Sequence, residues 1–135
     1  MSHFATISTQ IVSAKHLVLA LKDLGFPTVE VNAEPQELVG YQGDTRIQKA
    51  HVIIRRKYLG NLSNDIGFVQ NAKGTFDALI SDYDRFRFDK AWLQKLTQRY
   101  AYWVTRDLLE EQQFSLTQEQ REKDGTIRLT VRRMA

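Results

Sequence analysis

Residues 63–114 read SNDIGFVQNAKGTFDALISDYDRFRFDKAWLQKLTQRYAYWVTRDLLEEQQF, and this stretch decides the fold. Ile66 to Val69 and Thr75 to Ser81 are apolar, strand-like runs on either side of Asn71-Ala72-Lys73-Gly74, where Gly74 can supply the positive φ of a hairpin loop. Further on, Asp89 is placed to cap a long helix, because its carboxylate can accept from the orphan amides of the first turn. Trp92, Leu93, Leu96, Tyr100, Val104 and Leu108 recur at the helical period and mark the face turned to the core.

The flanking sequence extends this pattern in both directions. Ala5, Ile7, Thr9 and Ile11 alternate with polar residues as a half-buried strand does, and Ser13 can cap a helix whose one face carries Ala14, Leu17, Val18, Leu21 and Leu24. Gly25 ends that helix and Pro27 prevents its resumption. A short strand is expected at Val29 to Asn32, then a polar loop through Pro35, Gly40 and Gly43, then a strand at His51 to Tyr58. After the long helix, Phe114 to Arg121 and the alternating Ile127, Leu129 and Val131 flank Asp124-Gly125, predicting a C-terminal hairpin with those three side chains buried. The order β-α-β-β-β-β-α-β-β predicts an α+β fold: an antiparallel sheet with two helices packed on one face, residues 1–135 forming a single domain.

A chain of 135 residues buries enough surface to need neither disulfide nor metal for stability. With no cysteine, thiolate chemistry and Cys-ligated zinc or iron–sulfur sites are excluded, and a reducing interior fits best. The N-terminal MSHFATISTQ lacks the basic and apolar regions of a secretory signal, and no apolar run approaches the roughly 20 residues that cross a bilayer. Nineteen Lys and Arg against 16 Asp and Glu leave a formal charge of +3, too small to argue for nucleic acid without a local basic patch.

Several segments in order carry a resemblance over almost the whole chain: MSHF with TQI at the start, GYQGD at 40–44, SNDIGF at 63–68, ISDYDRF at 80–86, LTQRYAY at 96–102 and DGTIRL at 124–129. The chain resembles the hypothetical chloroplast open reading frame thirty-five family, which runs from cyanobacteria to algal plastids. The resemblance implies a cyanobacterial cytoplasm or a plastid stroma and brings no catalytic residues to carry over.

Two groups of residues are candidates for a site. If the strand persists beyond Ser81, Asp82 and Asp84 point the same way and, with Asp65, could hold a divalent cation or share a proton. The competing reading is local charge pairing with Arg85, Arg87 or Lys90 near the start of a helix. On the long helix, Lys95, Arg99, Tyr102 and Arg106 fall within roughly 60° of arc, with Trp92 and Trp103 at the border of the core face. A basic stripe with an interleaved ring can hold phosphates while the ring stacks on a base; it can equally be a solvated face that covers tryptophan edges and answers Asp107, Glu110 and Glu111.

The remaining candidates are weaker. Arg55 with Lys57, and Arg128 with Arg132, could form a basic platform on a helix-free sheet face. His16 falls opposite the apolar stripe of its helix, where it is expected to be solvated; His3 and His51 show no metal-ligand spacing, and the serines show no traceable His and Asp partners. Residues 40–44 lack the spacing of a phosphate-binding P-loop.

The reading these features support is a non-enzymatic accessory or binding protein that contacts a protein partner, in assembly or regulation, through the helix face of Trp92, Lys95, Arg99, Tyr102, Trp103 and Arg106. No cofactor is indicated. An RNA- or DNA-binding module using that face is the first alternative. A metal-dependent enzyme acting on a phosphate substrate at Asp65, Asp82 and Asp84 is the second.

Overall fold

The computed structural model describes residues 3–112, 114–121 and 127–133. The chain runs β1 (Phe4–Ser8), α1 (Ala14–Asp23), β2 (Glu30–Val39), β3 (Thr45–Ile54), β4 (Ile66–Gln70), β5 (Phe76–Ser81), α2 (Lys90–Glu111), β6 (Phe114–Arg121) and β7 (Ile127–Arg133), with 3-10 turns at Arg56–Tyr58 and Asp84–Phe86. β1 to β5 form one antiparallel sheet in the order β1-β5-β4-β3-β2. β6 and β7 pair with each other as a second, two-stranded sheet.

Local chemistry sets the helix starts. The Ser13 side chain accepts from His16 N and that of Asp89 from Trp92 N, so both expected caps form. Leu17, Ala20 and Leu21 of α1 and Leu96 and Tyr100 of α2 share one buried cluster with Ile54, Phe68 and Ile80 of the sheet, which places both helices on one face. The α+β arrangement is the one the sequence predicts. Leu108 departs from it: half exposed, at 50%, it lies beyond the part of α2 that the core covers.

The other face of the sheet is covered by its own hairpin. β2 and β3 are ten residues each, but β3 pairs with β4 only at Val52–Ile54. The remainder folds back over the sheet: Leu38 is fully buried, and the Arg46 guanidinium lies 5.5 Å from the Phe4 ring, although β5 and β4 separate β1 from β3. Gly67 sits beneath this crossing, where a Cβ would fall 2.6 Å from the Ala50 Cβ and 2.9 Å from Leu38 Cδ2.

This hairpin corrects the sequence reading. β2 does not stop at Asn32 but continues through Pro35, which is tolerated because β2 is an edge strand with shifted register around it. The segment HVIIRRKY is strand only to Ile54. There Asp65 takes both the Arg55 side chain and the Arg56 amide, turning the chain into the 3-10 segment, so Arg55 and Lys57 do not alternate along a strand and do not build a platform. The C-terminal hairpin forms as expected, but apart from the main sheet. Its Asp124-Gly125 turn and the side chains of Leu129, Val131, Arg128 and Arg132 lie outside the described residues; Ile127 is half-buried.

Candidate functional site

The three carboxylates do not converge. Asp65 is fully buried and accepts from Val39 N at 2.7 Å, Arg56 N at 2.7 Å and Arg55 Nη1 at 2.8 Å. Asp84 is buried on a different set of partners, accepting from Ser81 Oγ at 2.6 Å and Asn64 N at 2.9 Å. Because β5 ends at Ser81, Asp82 and Asp84 flank a turn, and Asp82 stays exposed near Arg85 at 3.8 Å. The expectation that Asp82 and Asp84 point the same way is therefore wrong, and the oxygens a cation would need are spent on holding loops. Among the described residues no group of three or more His, Asp or Glu could hold a metal ion.

The helix residues do come together, but largely on one another. Arg99 Nε and Trp103 Nε1 both donate to Asp23 Oδ2, at 2.9 and 2.7 Å, which fastens α2 to the end of α1. The Arg99 guanidinium lies 4.4 Å from the centroid of the Tyr102 ring, Tyr102 is buried and meets Trp103 edge-on, and Arg106 lies over Trp103 and pairs with Glu110. Trp92 belongs to the core cluster, against Phe88 and Phe26. Lys95 is exposed. The charge of this face is thus mixed, and its one buried ring, Tyr102, is not open for stacking.

Sequence reasoning missed a constellation at His16. Its ring is only 16% exposed, with Nε2 2.6 Å from Asp107 Oδ2 and Nδ1 2.6 Å from Ser13 Oγ. Serine, histidine and aspartate are the parts of a nucleophile with an oriented base. Here, however, Ser13 Oγ already accepts from His16 N, and the adjacent amides of Val12 and Ser13, which an oxyanion would require, both donate to Tyr100 Oη at 3.0 Å. The arrangement clamps α1 to α2. Ser13 and His16, three apart at a helix start, were visible in the sequence; Asp107, 91 residues from His16, was not.

A second missed feature is apolar. The loop at 59–63 and the turn at 83–87 enclose a pocket of about 530 Å³ lined in part by Leu62, Tyr83, Phe86 and Arg87. Leu62 is 60% exposed, Tyr83 49% and Phe86 90%. Arg56 ties the loop down by donating to the carbonyls of Ser63, Asn61 and Tyr41. The buried Asp84 does the same for the turn. Arg85 and Arg87 are exposed on the turn.

Fold and surface together define an α+β protein with a five-stranded antiparallel sheet, two helices on one face, and no helix among the described residues long and apolar enough to cross a membrane. The chain belongs to the family described as Protein of unknown function (DUF1257), whose model matches residues 20–130. It is similar to the "Uncharacterized protein ycf35" of Cyanophora paradoxa, 30% identical over 98% of both chains, and to that of Pyropia yezoensis, 32% identical over 98% of both. The protein of that name from Guillardia theta is 30% identical over the same share. No solved structure matches.

Proposed function

We propose that this protein is a non-enzymatic binding protein that docks a protein partner on the surface of Leu62, Tyr83 and Phe86. The observation that carries this is the pair of hydrogen-bonded loops holding three large apolar side chains in solvent around a pocket. Clustered exposed apolar groups mark contact sites, and rigid aromatic anchors with a polar rim are how such sites gain affinity. Arg87, exposed in the pocket lining, gives it a basic group, so the partner presents an apolar anchor flanked by an acidic residue. The α2 face of Trp92, Lys95, Arg99, Tyr102, Trp103 and Arg106 is the second surface for the same class of partner. Nucleic acid fits that face less well, because Asp23, Asp107 and Glu110 interrupt its positive charge. The likeness to algal relatives supports a setting in a plastid stroma or a cyanobacterial cytoplasm.

The test is affinity capture on the full chain from a cyanobacterial lysate, with and without nuclease, comparing wild type with Phe86→Asp and with Lys95→Glu/Arg106→Glu. A protein retained after nuclease and by the helix variant, but lost with Phe86→Asp, is the expected result. Loss with the helix variant alone moves the contact to α2, and loss on nuclease treatment replaces the protein partner with nucleic acid. Because Phe86 is 90% exposed the substitution should leave the melting temperature nearly unchanged, and that measurement on the variant separates lost contact from unfolding.

A further inference from the structure

The two edges of the sheet are unlike. β2 is protected in the ways edge strands usually are: Pro35 lies within it, its register shifts twice, and Glu34 and Glu37 are exposed along it. β1 has none of these. Its sequence FATIS is uncharged, and its register against β5 is unbroken from Phe4 to Ser8.

The outward backbone groups of β1 can be identified. Asp82 N donates to His3 O at 2.8 Å, so the hydrogen-bonding groups of His3 point toward the β5 side. Alternation along an antiparallel strand then turns those of Ala5 and Ile7 inward and those of Phe4, Thr6 and Ser8 outward. Thr6 and Ser8 are exposed, and among the described residues no strand pairs with this edge.

Beside this edge runs a groove of about 520 Å³ between β1 and the start of α2. Ile7, Phe88 and Leu93 give it an apolar floor, and Arg85 and Lys90 stand at its lining with exposed side chains. Of the nearby acids, the Asp89 carboxylate is turned to the Trp92 amide and Asp82 is 3.8 Å from Arg85. A row of unpaired amides and carbonyls, an apolar slot for alternate side chains and a cationic border together describe a receptor for an extended strand.

We propose that the outer edge of β1 takes up an extended, acidic segment of a partner protein by strand addition. The segment pairs with Phe4, Thr6 and Ser8, sets an apolar side chain between Ile7, Phe88 and Leu93, and places a carboxylate against Arg85 and Lys90. The Phe86 surface lies across the 83–89 turn from this groove, so the two sites stand or fall separately.

The experiment selects a displayed library of random linear peptides on the full-length chain and measures the winners by amide hydrogen exchange and by titration. Enriched peptides carrying an Asp or Glu next to an apolar residue, and slowing exchange at Phe4, Thr6 and Ser8 by about tenfold or more, are expected. Thr6→Pro removes one outward amide without touching the β5 ladder and should weaken these peptides by about tenfold, whereas Thr6→Val should leave them unchanged. Arg85→Glu/Lys90→Glu should reverse the acidic preference, a readout that stands even if Thr6→Pro fails to fold. The proposal is overturned if no peptide protects those amides, or if binding is lost with Phe86→Asp and kept with Thr6→Pro. It is overturned too by a concentration-dependent dimer that Thr6→Pro abolishes, since the edge then belongs to a second copy.

Discussion

Arg55 Nη1 donates to Asp65 Oδ2 at 2.8 Å, and Asp65 has no exposed surface. The same carboxylate holds the backbone of Val39, where the curled hairpin meets the sheet, and of Arg56, where β3 turns away. Removing it leaves the two amides without their acceptor, while Arg55 keeps its pairing with Glu30 at 2.6 Å. Asp65→Ala should therefore cost at least about 2 kcal/mol in urea unfolding, since each buried group left without a partner costs about 1–3 kcal/mol. A loss below about 1 kcal/mol would mean that water reaches the site and the carboxylate is dispensable.

Leu96 and Leu108 lie on one expected helix face but have different fates. Leu96 is fully buried between α2 and the sheet, so Leu96→Ala should cost about 2–5 kcal/mol as a cavity. Leu108 is half exposed, and its alanine variant should lie within about 0.5 kcal/mol of wild type. Equal effects at the two positions would show that the core continues to the end of α2.

Much of the fold was legible because its signals are local. Ser13 and Asp89 cap helices through amides three residues away, and Gly74, at φ 87°, closes the β4–β5 hairpin as its sequence implies. The site was less legible because its partners are distant in the chain. Asp23 neutralises Arg99 from 76 residues away, Asp107 reaches His16 across 91, and Asp65 accepts from Val39, 26 residues back. A helical wheel places Lys95, Arg99, Tyr102 and Arg106 together but cannot say which of them another element has already engaged. The curled β2–β3 hairpin was hidden for a related reason: the glycines at 40 and 43 do form its turn, but Pro35 read as loop too, and only its position at an edge lets a strand run through it.

Gly67 tests that hairpin directly. An added methyl group there meets the Ala50 Cβ at 2.6 Å and the Leu38 side chain at 2.9 Å, so one strand must retreat. Gly67→Ala should destabilise by about 1–3 kcal/mol, as overpacking does. The paired variant Gly67→Ala with Leu38→Ala should recover less than the Leu38 cavity alone would suggest, because the Ala50 clash persists. A neutral Gly67→Ala would show that the hairpin lies farther from the sheet.

Two carboxylates paired across the fold should add to the loss of stability in acid. The hydrogen bond from Arg55 holds Glu30 below its ordinary 4.5, and the hydrogen bond from His16 holds Asp107 below its ordinary 3.8. In both, the folded state favours the charged form more than the unfolded state does. Their contribution is therefore complete above the ordinary values and is lost as pH falls through the lowered ones. Between about pH 7 and pH 5 these two groups should leave stability flat, and below about pH 4 they should steepen its fall. Urea midpoints measured across that range should decline less steeply in Glu30→Gln and Asp107→Asn, each variant starting lower at neutral pH and converging on wild type in acid. If both variants stay parallel to wild type down to about pH 3, the clamps at Arg55 and His16 contribute nothing to acid sensitivity and the decline arises at other carboxylates.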